Sequence, residues 1–344
     1  MGKGTLGEEP EEKIRELYLK NPSEALIIDS KKTVEKIEEF ILKEVEKANA
    51  LGLVLGMSGG IDSAVVATLC RNAVGPEKVY ALMMPSETNQ SSDTSGAVAL
   101  AEKLGINYKI ISISDIEEVF LKKRVFDEFM SKANLKPRIR MALLYGVANS
   151  RNYLVTGCGN KSELSAGYFT KFGDGGCDIL PIGDLYKTQV YQLARCLEVP
   201  ESIIQRAPTA GLWKGQTDED EMGIKYKVLD QVLLGLELEV KKNAIAEKVG
   251  INESDVEKVI GRIQMSEHKR KMSGTPKEAA ASQTSENYVL NRINEVLENK
   301  AIEWLNTPIA SLNKRTPLEV LMEDEPGRKR VLDVLIRMEW GIPD

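Results

Sequence analysis

The sequence predicts an α/β fold, a parallel sheet with helices on both faces, followed by a small all-helical C-terminal domain. Three observations carry this. Short apolar runs of buried-strand type alternate with segments of helical period. A Gly-rich turn, SGGIDS at 58–63, separates the first of those runs from the helix after it. Near residue 274 the apolar period stops, and what resumes is helical only.

Residues 1–22 are charged and are expected to form an arm or a loosely docked helix. From Thr33 the residues Val34, Ile37, Ile41, Val45 and Ala48 recur at helical spacing. LGLVLGM (51–57) reads as the first strand and AVVATLCRNA (64–73) as the helix after the Gly-rich turn. VYALMMP (79–85), YKIISIS (108–114) and NYLVTG (152–157) follow as strands, with helices at GAVALAEKLG and MALLYGVANSRN. Right-handed crossovers restrict this pattern to few topologies. The synthesis is an arm over 1–22, a main domain over 23–273, a linker over 274–285 rich in Gly, Pro, Ser and Ala, and a helical domain over 286–344. In that last part Val289, Leu290, Ile293, Val296 and Leu297 form one apolar face. Val331, Leu332, Val334, Leu335 and Met338 form another.

The chain has 344 residues and a formal net charge of -6, which argues against wrapping nucleic acid. Its four cysteines (Cys70, Cys158, Cys177, Cys196) contain no CxxC pair and read as free thiols in a reducing cytosol, with a disulfide or a nucleophile as the lesser readings. His268 is the single histidine, so a multi-histidine metal site is excluded. No apolar run approaches the ~20 residues that span a bilayer, and the first residues lack a secretory pattern, so a cytoplasmic protein is expected.

The turn at 58–63 has the chemistry of a phosphate loop. Gly59 and Gly60 allow the backbone to approach an anion, and helix-start amides point at it. Ser58 and Ser63 add hydroxyl donors. Asp62 repels phosphate unless a divalent cation lies between them, which implies Mg²⁺. The competing reading is an ordinary βα turn with a helix-capping Asp. SGGxDS lacks Walker spacing and resembles the loop of the ATP pyrophosphatase superfamily. That resemblance implies an adenine-nucleotide alpha-hydrolase-like, Rossmann-like fold, ATP as co-substrate and release of pyrophosphate.

RIRMALLYGVAN (from Arg138), GCGNKSELSAGYFTKFGDGGCDILPIGDLYKTQVYQLA (from Gly157) and PTAGLWKGQTDEDEMGIKYKVLD (from Pro208) are each similar to ammonia-dependent NAD synthetases. The resemblance covers roughly residues 30–275. It implies Glu163 as the second Mg²⁺ carboxylate beside Asp62, and Lys187 as the cation that holds departing phosphate oxygens. Thr209 would lie near the same phosphates. Arg138, Tyr145, Phe169, Lys171 and Asp174 fall in stretches that hold deamido-NAD, with Phe169 offering a face for the pyridine ring. His268, Lys269 and Arg270 are expected to close over the substrate. Cys158 stands where the family usually has Thr, and a thiol is a weaker hydrogen-bonding group at an ATP contact. Taken singly, each of these residues also has a bland reading, as surface lysine, core aromatic or helix-terminal carboxylate.

The activity implied is amidation of deamido-NAD with ammonia, at the expense of ATP cleaved to AMP and pyrophosphate through an adenylylated intermediate. The chain's length leaves no room for a glutamine-hydrolysing domain, so ammonia is the expected nitrogen donor. The resemblance further implies a homodimer. WLNTP and RTPLEVL in the tail resemble the toxin-binding domain of Xre/MbcA/ParS-type antitoxins, with a glycine ahead of a final helix ending near EWG. That implies a toxin partner bound through 286–344, the family's partners including RES-type enzymes that consume NAD. A non-catalytic dimeric scaffold for this tail is the alternative.

Overall fold

The computed structural model describes residues 8–88, 91–213, 215–271, 273, 286–297, 300–323 and 325–339. The chain divides into two compact units, one ending at Lys271 and one starting at Met272. The expected linker over 274–285 lies outside the described residues.

In the first unit α1 (Glu8–Lys20) and α2 (Ser30–Lys47) precede β1 (Gly52–Gly56), α3 (Ile61–Val74) and β2 (Val79–Met83). Then come α4 (Ser91–Leu104), β3 (Asn107–Ile110), α5 (Ser114–Lys122), α6 (Phe129–Ala133), α7 (Leu135–Arg151) and β4 (Tyr153–Thr156). The four strands are parallel, in the order β3-β2-β1-β4. Leu53 faces Val79 on one neighbour and Leu154 on the other.

Strand residues alternate between two cores, as the pleat requires. Leu53 and Leu55 of β1, with Val79, Ala81 and Met83 of β2, pack into the core shared with α2 and α3. Val54, Leu82 and Val155 point the other way, against Leu135, Ile139 and Ala148 of α7. Burial on both faces explains why these strands read as unbroken apolar runs. The third is shorter than YKIISIS suggested: it ends at Ile110, itself half exposed on the edge strand, and Ser114 already starts α5.

The remaining elements are helical: α8 (Lys161–Ala166), α9 (Lys187–Cys196), α10 (Glu201–Ile204), α11 (Asp218–Met222), α12 (Tyr226–Glu237), α13 (Lys242–Val249), α14 (Glu253–Met265) and α15 (Glu267–Arg270). Leu229 and Val232 of α12, Ile245 of α13 and Val256 of α14 form a further core. Tyr18 of α1 belongs to it and is wholly buried, so residues 8–20 are a packed helix rather than a free arm. Gly235 makes room for it: a Cβ there would stand 2.3 Å from the Tyr18 hydroxyl oxygen.

The second unit contains α16 (Glu286–Leu297), α17 (Ala301–Leu305), α18 (Pro317–Leu321) and α19 (Glu325–Glu339). Val289, Ile293, Leu312, Leu321, Val331 and Leu335 close its own core, while Met338 of the expected apolar face points outward. Thr316 caps α18 through a reciprocal box with Glu319, and Pro317 takes the first helical position, where its missing N–H costs nothing. The glycine expected ahead of the final helix, Gly327, lies inside α19.

Candidate active site

The chain runs β1, β2, β3 outward on one side and then returns to place β4 on the other side of β1. A crevice forms outside the carboxyl ends of β1 and β4, where strand order reverses. A cavity of about 520 Å³ opens there.

One wall is the β1–α3 turn. Gly59 has φ +81°, and a Cβ on it would meet the Asp93 carbonyl oxygen at 2.4 Å, so only glycine fits. The Ser63 hydroxyl donates to the Gly60 carbonyl (2.9 Å), and the Gly60 amide donates to the Ser58 hydroxyl (3.2 Å). Arg206 clamps the turn from outside by donating to the Gly59 carbonyl (3.1 Å) and pairing with Asp93.

The opposite wall starts where β4 ends. Asn160 caps α8: its side chain accepts from the Glu163 amide (3.0 Å), and Glu163 reaches back toward the Asn160 amide. The same asparagine donates to Asp62 across the crevice (3.0 Å), joining the two walls. Lys187, at the start of α9, is almost fully buried; its ammonium pairs with Asp62 and with Glu163 (3.2 Å). Tyr226 donates toward Glu163 (3.3 Å) and toward Asp218 (3.2 Å), a buried carboxylate whose other oxygen has no hydrogen-bond partner among the described residues.

Two carboxylates therefore share one ammonium, and Asp218 adds a third negative group behind Tyr226. Burial pushes the Glu163 carboxyl up to about 7, with Lys187 opposing and Asp62 and Asp218 reinforcing the rise. Burial works against the Lys187 charge, but Asp62 and Glu163 outweigh it and hold the ammonium above the ordinary lysine range. Asp218 is raised, chiefly by burial. The site carries surplus negative charge with oxygen donors only, the ligand set that suits a hard divalent cation. Among the described residues no three or more His, Cys, Asp or Glu gather closely enough to hold a metal by themselves.

The predicted residues separate into two groups. Ser58, Gly60, Asp62, Ser63, Cys158, Glu163, Lys187, Thr209, Phe169, Asp174 and Lys269 all line the cavity. Gly59 stands just behind it, as the hinge of the turn. Arg138, Tyr145, Lys171 and His268 do not line it. Arg138 is exposed and donates to the Asn134 and Lys171 carbonyls at 3.4 Å. Tyr145 donates to Asp178 (3.0 Å), and Lys171 donates to the His268 carbonyl (2.5 Å). The segment expected to close over the substrate packs on the α8–Phe169 stretch: Lys269 donates to the Gly167 and Phe169 carbonyls at 2.8 Å and Arg270 to those of Leu164 and Ser165 at 3.0 Å. The Cys158 thiol contacts the Gly56 carbonyl only weakly, at 3.9 Å, and burial raises it well above the usual thiol range.

Sequence reasoning missed Asn160, Arg206, Asp218 and Tyr226. Asn160 carried a signal, since N-x-x-E opening a helix is a capping box. Asp218 opens α11 in a run of acidic residues and Arg206 stands alone in loop sequence, and neither carried one.

A crevice at the switch point of a parallel sheet is where α/β enzymes bind their ligands, and comparison with known proteins narrows this one to the ligase class. The NAD synthase family matches residues 33–273, and the chain belongs to that family. It is 50% identical over 242 residues to the NH(3)-dependent NAD(+) synthetase of Archaeoglobus fulgidus, covering 70% of this chain and 94% of that one. The enzyme of the same name from Methanocaldococcus jannaschii is 46% identical over 248 residues, with 71% and 95% covered. Among solved structures, NMN synthetase from Francisella tularensis aligns with TM-score 0.66 and 38% identity, covering 73% of this chain and 99% of that one. The NH3-dependent NAD synthetase from Campylobacter jejuni, in complex with the nitrate ion, gives 0.62 and 36%, with 73% and 100% covered. Residues 294–341 match the antitoxin Xre/MbcA/ParS C-terminal toxin-binding domain.

Proposed function

We propose that the chain amidates deamido-NAD with ammonia, consuming ATP to AMP and pyrophosphate. The observation that carries this is Lys187, buried between Asp62 and Glu163 at the mouth of a phosphate-type turn. In this reading the turn at 58–63 and the start of α3 bind the ATP phosphates through backbone amides and the Ser58 and Ser63 hydroxyls. Asp62 and Glu163 would hold Mg²⁺, which supplies charge neutralisation on the phosphates. Their convergence and the surplus carboxylate fit that role, and Mg²⁺ bound by one or two carboxylates takes its other ligands from phosphate and water.

The nicotinate carboxylate then attacks the α-phosphorus. Its oxygen–phosphorus bond forms as the bond to the bridging oxygen of pyrophosphate breaks. Lys187 stabilises the charge gathering on that leaving group. Thr209 and Lys269, on the cavity wall, orient the two anions. Ammonia attacks the resulting acyl carbon and AMP departs with the carboxylate oxygen it received. The walls contribute by alignment and by keeping water from the acyl-adenylate.

Deamido-NAD as acceptor is supported by the relatives named NAD(+) synthetase. The likeness to an NMN synthetase supports a second reading, in which nicotinate mononucleotide is amidated by the same chemistry. Ammonia as donor is supported by the near-complete coverage of NH(3)-dependent relatives. We further place Arg138, Tyr145, Lys171 and His268 at the dinucleotide end and infer a homodimer. A cytoplasmic setting agrees with four free cysteines and with no described helix long and apolar enough to cross a membrane. For the tail we propose a toxin protein as partner, an NAD-consuming enzyme of the RES type. Its support is the match over residues 294–341.

The test is incubation with ATP, Mg²⁺, ammonium or glutamine, and each acceptor in turn, with NAD or NMN and AMP quantified. NAD equal to AMP, from ammonium and far less from glutamine, is expected. Product from the mononucleotide alone would reassign the acceptor. Absence of any amide product from a folded chain would favour the scaffold reading.

A further inference from the structure

We infer that Asp230 is a positioning residue, a buried brace that fixes Glu163 and Lys187 relative to each other. It lies on α12, outside the cavity, and is completely buried. One carboxylate oxygen accepts from the Ser162 hydroxyl (2.5 Å) and the other from the Thr188 amide (2.8 Å). The Ser162 hydroxyl oxygen in turn accepts from the Lys187 amide (2.8 Å). Residues 162 and 188 are the chain neighbours of 163 and 187. A single carboxylate thus ties together the first turns of α8 and α9, which carry the two side chains that meet at 3.2 Å in the cavity.

The choice of residue argues for a positioning role. Asp230 has no salt-bridge partner among the described residues, and its helix neighbours Leu229, Val232 and Leu233 are apolar and buried. A buried carboxylate without a paired cation is costly, and space filling alone is better served by a leucine. What the carboxylate supplies is two acceptors at fixed separation, one for the Thr188 amide that the helix start leaves open and one for the Ser162 hydroxyl. Holding a lysine–carboxylate pair to sub-ångström tolerance is what such a scaffold does for a site.

The inference rests on the ATP and Mg²⁺ reading of the cavity, and the experiment separates the two. Asp230→Asn keeps the shape but turns one acceptor into a donor, so either the Ser162 hydroxyl or the Thr188 amide loses its acceptor. Ser162→Ala removes the hydroxyl link. Leu234→Ala, on the same helix, serves as a core-packing control. Kinetics with varied ATP and Mg²⁺ are measured beside hydrogen exchange of the 186–190 amides. Expected for both brace variants are a kcat at least tenfold below the parent, half-saturating Mg²⁺ raised at least threefold, and faster exchange at 187–188. The control is expected to lower Tm with both kinetic values within twofold. Brace variants with parental Mg²⁺ dependence and exchange would overturn the inference, as would a control that matches them. Should Asp230→Asn not fold, Ser162→Ala alone decides by the same readings. An inactive parent would count against the ATP reading, and the exchange measurement would still decide the brace.

Discussion

At the phosphate end of the crevice the predicted side chains line one cavity and interlock, Lys187 with Asp62 and Glu163, and Asn160 with both walls. At the end proposed for the dinucleotide Phe169, Asp174 and Lys269 line the cavity, while Arg138, Tyr145, Lys171 and His268 lie outside it. The contrast follows from what each end must do. Phosphate charge is neutralised by buried charges whose geometry the fold fixes by itself. A dinucleotide is long and is gripped along an extended surface, where single contacts are exposed and individually weak.

The comparison predicts unequal costs for substitution. The largest is expected at Lys187. Lys187→Ala removes the ammonium that Asp62 and Glu163 share and is predicted to lower kcat by roughly 100- to 1,000-fold or more. A loss below tenfold in steady-state kinetics would place that residue outside the chemistry. Next comes a pH effect. Burial holds a proton on Glu163 up to about 7, and a divalent ion binds the ionised form, so acid competes with Mg²⁺. Half-saturating Mg²⁺ should rise roughly tenfold from pH 8 to pH 6, and a flat titration would remove Glu163 from the ligand set.

Smaller effects are expected further out. Cys158→Thr replaces a weak hydrogen-bonding group by a strong one and is predicted to lower the ATP KM by about two- to fivefold. An unchanged KM would show that backbone alone makes the contact there. Lys171→Ala removes a half-exposed cation bonded to a backbone carbonyl. It should raise the KM for deamido-NAD about two- to fivefold and leave kcat alone. A hundredfold effect would mean that the dinucleotide end is as tightly built as the phosphate end.

What could be read from the sequence follows the same division. β1 and β2 stood out because both faces are buried, and the Gly-rich turn because Gly59 has a conformation that demands glycine. Ser58, Asp62, Glu163 and Lys187 could be placed from short local spellings. Asp218, Tyr226, Arg206 and Asp230 could not. Each acts across the chain, and nothing beside Asp230 in KYKVLD signals that its partners lie at 162 and 188. The N-terminal segment left arm and docked helix both open for a related reason: the charges among its described residues are exposed, and Tyr18, which anchors it, fits against a glycine more than two hundred residues away.

The central claim is that the carboxylate of the acceptor is adenylylated in this cavity. The most direct measurement uses deamido-NAD labelled with ¹⁸O in its nicotinate carboxylate, together with ATP, Mg²⁺ and ammonium, and mass spectrometry of the nucleotide formed. Expected is AMP carrying one labelled oxygen, in amount equal to the NAD produced. Unlabelled AMP, or ADP with label in inorganic phosphate, would contradict it.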